Sequence, residues 1–370
     1  MARSISFYNE SLPNGEPVID RTQISWTRGL KKDFEKKRAK CYFPSAVRTA
    51  IYRPFTKCAV YFDRDFNEYV NQIPKFFPEA AKENRVIVLP GPGEDRPFSA
   101  QISNVIPDLH FLHGGQCFPL YLYDKAEEGG EDELFAKGAG AGGGKATRRD
   151  GISDAGLAHF QAAYPAKGEG GSITKEDLFY YIYGLLHSPD YRSRYADNLG
   201  KELPRIPAVK TFADFRAYSQ AGRELAHWHL NYETVAPYAG AKLDTGKTPR
   251  TALTDADYRV TKMKFAKTKT EGKSVADKTT VIYNERITIT CIPLAAYDYV
   301  VNGKPALEWV MERQSVTTDK DSGIVNDANL WATETMQNAK YPLELFLRVI
   351  TVSLETMKIV NGLPPLGELK

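Results

Sequence analysis

The chain has 370 residues, 42% of them hydrophobic and 26% charged, with a net charge of +3, which is enough to bury a sizeable core in two subdomains. No apolar run approaches the ~20 residues of a membrane helix, and no signal-peptide core opens the N-terminus. The four cysteines (Cys41, Cys58, Cys117, Cys291) lie far apart without a CxxC pair, which speaks against a zinc site and for buried thiols in a reducing cytoplasm.

In chain order, the first feature is charge. Arg21 to Lys57 holds eleven Lys/Arg against Asp33 and Glu35, a net of +9, whereas residues 58–135 set six basic residues against fourteen acids. The positive charge is interleaved with Trp26, Tyr42, Phe43, Tyr52 and Phe55, the composition of a folded phosphate-tracking surface; a solvated charged helix is the plainer alternative. Arg21, Arg28, Lys31, Lys32, Arg53 and Lys57 are the phosphate candidates here. Arg85–Leu89 and Phe118–Tyr123 read as strands, being short apolar runs bounded by Pro and Gly. Seven glycines between Gly129 and Gly144 make 124–150 a flexible loop or subdomain linker.

The middle is helical. Thr174 with Asp177, and again Thr211 with Asp214, are capping-box starts ahead of apolar stripes, and Pro189 ends the first helix. A β region follows: alternation over Thr261–Phe265 puts Lys262 and Lys264 on one strand face and Met263 and Phe265 on the other. Val281–Tyr283 and Ile287–Cys291 flank a turn, and Asn302-Gly303 between Tyr299–Val301 and Ala306–Trp309 is a hairpin signal. Met311–Asn329 reads as a long polar loop. Pro342 opens a final helix whose core stripe runs from Leu343 to Met357, with Asn361-Gly362 as its stop. The segments are accordingly 1–123 (N-terminal α/β part with the basic stretch), 124–150 (Gly-rich), 151–240 (helical), 241–340 (β-rich) and 341–370 (C-terminal helix).

Motifs of catalysis fail one by one. A phosphate loop at GAGAGGGKAT would need Gly at 139 and Ser or Thr at 146, where the chain has Ala139 and Ala146. There is no GxGxxG after a strand and no Asn/Asp-Pro-Pro-aromatic run. Glu271-Gly-Lys273 downstream of Asp255 and Asp257 has the residue types of a metal-dependent nuclease, but the segment between them is too cationic for a buried strand. His227 and His229 point apart on a helix and read as packed histidines. No catalytic residue and no metal ligand is assigned.

The ordered segments ISWTRGLKKDF, IYRPFTKCAVYFDRDFNEYVNQIPKFFP, VIPDLHFLHGGQCFPLYLY, ITKEDLFYYIYGLLHSPDYRSRY, LPRIP, AGRELAHWHLNYE, YDYVVNGKPALEWVMERQSVTTDKDSGIVNDAN and YPLELFLRVITVSLETMKIVNGLPPL together resemble the C-terminal specificity domain of type ISP restriction-modification enzymes. Those are single-chain proteins joining a nuclease, a helicase-like ATPase, an adenine methyltransferase and a DNA target-recognition domain. FYNE at Phe7 resembles the end of a helix that continues upstream in the family, so the chain looks like the tail of a longer protein. The resemblance implies an α/β (α+β) fold, with a mixed β-sheet target-recognition domain and a bracing helical subdomain. It also implies that S-adenosylmethionine, ATP and Mg2+ belong to domains absent here, leaving this chain without a cofactor. The implied partners are duplex DNA and the methyltransferase and helicase/nuclease domains of the same or a companion chain.

Arg259–Lys278 holds seven basic residues against two acids, which adds Lys262, Lys264, Lys267 and Lys269 to the phosphate candidates. Reading bases needs Arg, Lys, Asn or Gln at groove depth, and Asn104, Gln116, Arg313, Gln314, Lys320 and Asn326 offer that chemistry; any one polar loop residue is more often merely solvated. The reading is a sequence-specific duplex-DNA recognition module that directs adenine methylation and ATP-dependent cleavage by other domains. Its rivals are a stand-alone metal-dependent nuclease and a protein-interaction module docking on a DNA methyltransferase.

Overall fold

The computed structural model describes residues 1–124, 146–165, 170–270 and 273–369. The fold is α+β, with two large cores and a small third one. The strand Val86–Leu89 explains how the large cores meet. All four of its residues are buried; Val86 and Val88 enter one core while Ile87 and Leu89 enter the other. A continuous apolar run is what a strand covered on both faces requires. Its antiparallel neighbours are Gln101–Ser103 and Gln116–Pro119.

The first core takes residues from Ala50 through the β-rich part to Val352. Around it lie Val47–Arg53, paired antiparallel with Thr56–Tyr61 and parallel with Ile106–Pro107, and a four-stranded sheet ordered Lys264–Thr270, Lys273–Ile282, Thr288–Thr290, Lys242–Asp244. The second core is helical. Helices Lys175–Leu185 and Phe212–Leu230 are capped by Thr174 and Thr211 as their sequences predict, the former with the full reciprocal capping box. They cross at Gly184 and Gly222, where a Cβ would come within 2.2 Å of the Tyr218 carbonyl and 1.9 Å of the Tyr180 carbonyl. Only glycine admits this backbone-to-backbone approach. Buried tyrosines then fasten the Pro-rich segments around the pair: Tyr181 donates to the Pro207 carbonyl at 2.6 Å, Tyr191 to Arg205 at 2.7 Å and Tyr218 to Pro364 at 2.7 Å.

Tyr341–Asn361 runs along both cores, with Tyr341 to Val352 in the first and Val360 in the second. The seam between them is polar. His229 accepts or donates to Tyr183 Oη at 2.6 Å and to Thr356 Oγ1 at 3.0 Å, and stacks on Tyr299 at 5.2 Å. Tyr299 in turn accepts from Gln101 Nε2 at 2.6 Å. Burial, reinforced by nearby Arg192, pushes the His229 imidazole down to about 3, and burial with Arg192 pushes His187 well below its usual value. His229 is thus a packed histidine. The third core is small: Tyr8, Ile24, Leu30 and Phe34, closed by Trp26.

Three local expectations need correction. Thr147–Asp150 pairs with Tyr121–Asp124, so the Gly-rich run connects two adjacent antiparallel strands rather than two subdomains; residues 125–145, with the flexibility expected of them, lie outside the described residues. Asn302 and Gly303 do form a tight turn, both at positive φ, but it joins only Val300–Val301 to Lys304–Pro305, and Ala306–Arg313 is a helix. Its Leu307, Val310 and Met311 enter the core, so burial at helical spacing outweighs the hairpin's pull. Met311–Asn329 is therefore the end of that helix followed by a short hairpin, Val316–Thr318 with Val325–Asp327.

Candidate nucleic-acid interface

Two hairpins project from one stretch of backbone, Arg259–Met263. The first is the long ribbon Lys264–Thr270 with Lys273–Ile282. At its base Lys264 and Phe265 pair with Ile282 and Val281, inside the four-stranded sheet. A bulge after Phe265 then shifts the register, and from Ala266↔Asp277 to Thr270↔Lys273 the ribbon continues as two strands alone. Its residues Lys267, Thr268, Lys269, Lys273, Ser274, Val275 and Ala276 are exposed. A two-stranded ribbon is narrow enough for the major groove of B-DNA.

The second is the short hairpin. Its base is tied to the same stretch: Val316 N donates to the Thr261 carbonyl at 2.9 Å, and Asn329 exchanges bonds of 2.9 and 2.7 Å with the Val260 backbone. Arg259 pairs with Asp327 at 2.6 Å. Partial burial raises the Asp327 carboxyl, but the bonds from Arg259 and Asn329 outweigh it and hold the group below its ordinary value. At the tip, Arg21 approaches Asp321 at 3.9 Å, bringing the N-terminal basic segment alongside. There the helix Arg28–Glu35, capped by Thr27, buries Leu30 and Phe34 and leaves Arg28, Lys31 and Lys32 in solvent. This is an amphipathic helix whose polar face is basic.

The sixteen residues singled out in the sequence fall into three groups. Lys262, Lys264, Lys267, Lys269, Lys320, Asn326 and Arg21 share the two-hairpin region; Arg28, Lys31 and Lys32 follow Arg21 on their helix. Lys262 precedes the strand, so the alternating face predicted over Thr261–Phe265 begins only at Lys264. Arg28, Lys31, Lys32, Lys262, Lys264, Lys267 and Lys269 have no acidic partner among the described residues, whereas Lys278 of the ribbon pairs with Glu308 at 2.9 Å.

A second group surrounds Tyr52. Arg53 stacks on its ring at 3.9 Å and pairs with Asp108 at 2.8 Å, and the Arg313 guanidinium lies 5.9 Å from Tyr52 and 5.9 Å from Trp309. Arg313 ends a helix and pairs with Glu312 at 2.5 Å, so it is not the free loop residue expected. Lys57 pairs with Glu233 at 2.5 Å in a half-buried site, which spends its charge inside the molecule. Gln314 is a clear correction: only 4% exposed, it sits too deep to reach a base.

Asn104 and Gln116 form the third group. Both are exposed, Asn104 in a bend and Gln116 bonded to the Gly114 carbonyl at 3.2 Å, and among the described residues no hydrogen bond joins either to the hairpins. Sequence reading missed Thr317 and Ile324, whose place beside Asn326 depends on a hairpin register that no local motif announces.

Asp257 is bonded to the Thr254 cap and to Arg286 at 2.9 Å, and Glu271 lies outside the described residues. One further group of possible ligands is Glu94, Asp95 and His113, whose ligand atoms lie within 4.8 Å of one another, with His113 Nδ1 2.8 Å from Glu94. Among the described residues no helix is long and apolar enough to cross a membrane.

The comparisons agree with this architecture. Residues 1–345 match the family model described as the Type ISP C-terminal specificity domain. The chain belongs to that family. Among solved structures it is similar to "ATP-dependent Type ISP restriction-modification enzyme LlaBIII bound to DNA", at 34% identity and TM-score 0.80, over 100% of this chain and 22% of that one. It is also similar to a nuclease-deletion mutant of the Type ISP restriction-modification enzyme LlaGI in complex with a DNA substrate mimic (34% identity, TM-score 0.76, 100% of this chain, 30% of that one). A third likeness is to the DrdV–DNA complex (30% identity, TM-score 0.77, 98% and 33%). The chain therefore spans between about a fifth and a third of these proteins. Comparison with curated proteins finds no match.

Proposed function

We propose that this chain is a sequence-specific duplex-DNA recognition module that aims the activities of a longer type ISP enzyme. The observation that carries the reading is the pairing of two different hairpins on one backbone stretch. One displays lysines without acidic partners, suited to phosphates as flexible point charges. The other displays an amide, suited to a base edge. Family membership and the DNA or DNA mimic bound in three similar structures support it. In the longer protein, the selected site would direct adenine methylation and ATP-driven cleavage by other domains. Those domains would bind S-adenosylmethionine, ATP and Mg2+ and dock on this chain in the cytoplasm.

The test is duplex binding by the purified chain across a salt series. Steep salt dependence with a preference for selected over scrambled duplexes is expected; salt-insensitive or absent binding would sink the reading. Mg2+-dependent nicking of plasmid by the same preparation would instead favour the nuclease.

A further inference from the structure

The short hairpin carries a face that the reading above does not use. In its antiparallel register Thr317 lies opposite Asn326, Thr318 opposite Val325 and Val316 opposite Asp327. Asp319 N donates to the Ile324 carbonyl at 2.9 Å, which continues the ladder by one pair. Opposed residues share a face and neighbours alternate. One face therefore holds Val316 and Asp327 at the base, where Asp327 meets Arg259, and the exposed Thr318 and Val325 beyond them. The other holds Thr317 with Asn326 and, one pair further on, Ile324 with Asp319.

That outer face is built for display. Ile324 is 50% exposed, and the side chains of Asn326 and Thr317 make no hydrogen bond among the described residues. The tip is ordered from within: Asp319 Oδ1 accepts from Asp321 N at 3.2 Å, Ser322 N at 2.8 Å and Ser322 Oγ at 2.7 Å, and Gly323 takes φ 68 to close the turn. The charges suit an anionic partner despite three acids. Asp321 and Asp327 are paired with Arg21 and Arg259, Asp319 is committed to the turn, and Lys320 makes no ion pair among the described residues. A lone exposed isoleucine is ordinary on a protein surface. An exposed isoleucine two residues from an unpartnered amide, on a hairpin tied to the same backbone stretch as a cationic ribbon, is a different object.

We propose that this face reads A·T pairs in the major groove: Asn326 engages the N6 and N7 edge of an adenine, and Ile324 packs on the 5-methyl group of a thymine. Asn is the side chain whose amide matches adenine's donor and acceptor together, and the thymine methyl is the one apolar group the groove offers. Two strand residues span about 6.7 Å, or about two steps of stacked bases at ~3.4 Å, so the two contacts fall on nearby but separate positions. Thr317 lies opposite Asn326 and can support the same base edge.

This inference rests on the DNA-reading function, and the experiment separates the two. A preferred duplex is first selected from random sequences with the 370-residue chain. Each thymine is then replaced by deoxyuridine, which removes only the methyl group. One such replacement is expected to weaken binding about fourfold, the worth of one buried methyl. Ile324→Ala should show the same loss on the unmodified duplex and no further loss with deoxyuridine, while Ile324→Val keeps most of the sensitivity. Asn326→Ala should relax one A·T position by roughly tenfold or more in a repeated selection. Thermal melts of all three variants guard against misfolding. If the chain selects a sequence, yet the deoxyuridine scan is flat and Ile324→Ala and Asn326→Ala bind like the parent, the hairpin does not read bases and the inference is overturned with the DNA-reading function intact. If no duplex is selected at all, the underlying function fails first.

Discussion

Of the eleven basic residues between Arg21 and Lys57, five are held by carboxylates: Arg21, Arg38, Lys40, Arg53 and Lys57. Between Arg259 and Lys278, among the described residues, only Arg259 and Lys278 are, and both sit at the base of the ribbon. The partners explain the contrast. Asp33 and Asp65 enclose Lys40, Asp108 holds Arg53, and Glu233 holds Lys57; all belong to a folded body that needs its cations internally. The ribbon leaves that body after its bulge and has no such neighbours. Similar charge density in sequence is thus partly drawn into a structural network from Arg38 to Lys57, while the ribbon, like the exposed face of the Arg28–Glu35 helix, keeps its cations available.

The sharpest way to break this contrast is to remove a cation from the network. Lys40 is 5% exposed, with its ammonium 2.5 Å from Asp33 and 3.0 Å from Asp65. Partial burial raises the Asp33 carboxyl, but Lys40 and Arg38 together bring it below its ordinary value. Lys40→Met strands that charge and is expected to cost about 3 kcal/mol in chemical denaturation, the lower range for breaking a buried pair. The salt dependence of DNA binding should not move. A stable Lys40→Met protein with a shallower salt slope would reverse the assignment.

Acid should act on the seam between the cores before it acts on either cationic stretch. His229 and His187 are buried neutral, with folded values far below the ~6.5 of a free imidazole. The unfolded chain therefore binds protons that the fold refuses, and stability is lost as pH falls through 6.5. For His229 the loss by pH 5 is about 2 kcal/mol, with His187 acting in the same direction. His229→Gln should flatten the pH dependence of denaturation between 6.5 and 5; an unchanged slope would show that the imidazole is not desolvated.

On the ribbon the effect is electrostatic and leaves the fold alone. Lys267→Ala with Lys269→Ala should lower the slope of log affinity against log salt by about 1.8, at ~0.9 per phosphate contact, weaken all duplexes alike and leave the melting temperature unchanged. Lys57→Ala, drawn from the network, should do the opposite: destabilise the fold and leave the slope alone.

Much of this was legible in the sequence, for identifiable reasons. Capping pairs at Thr174 and Thr211, the apolar run at Val86 and the proline at 342 are local signals read by local physics, and the structure follows them. The charge of the ribbon was legible but not its form: the sequence reads as a strand over Thr261–Phe265 followed by a cationic loop, whereas Lys264–Thr270 and Lys273–Ile282 pair as a hairpin. What escaped depends on distant partners. Nothing near Lys57 or Arg53 announces Glu233 or Asp108, and Gln314 looks like a loop residue until Ala306–Arg313 folds as a helix and carries it inward. The Ile324 face required a register set by a turn around Asp319, and the bulge after Phe265 carries no sequence mark at all.

The smallest expected effect tests the arginines that belong to neither extreme. Arg53 and Arg313 both lie by Tyr52, and Arg313 also spans to Trp309 and Glu312, with its Nε enclosed and without a partner among the described residues. Arg313 has the planar fork to read a guanine, yet its fork is turned on Glu312 and its ring neighbours. We therefore expect Arg313→Lys, which keeps the charge and loses the planar stacking, to cost about 0.5–1 kcal/mol of stability. The ratio of selected to scrambled duplex binding should stay within about twofold, far short of the 1–3 kcal/mol of a lost bidentate contact. Arg53→Lys should behave alike, since Asp108 retains the charge. A tenfold collapse of discrimination in Arg313→Lys would mean that its fork swings away from Glu312 on binding. The reading surface would then extend from the hairpins to Tyr52.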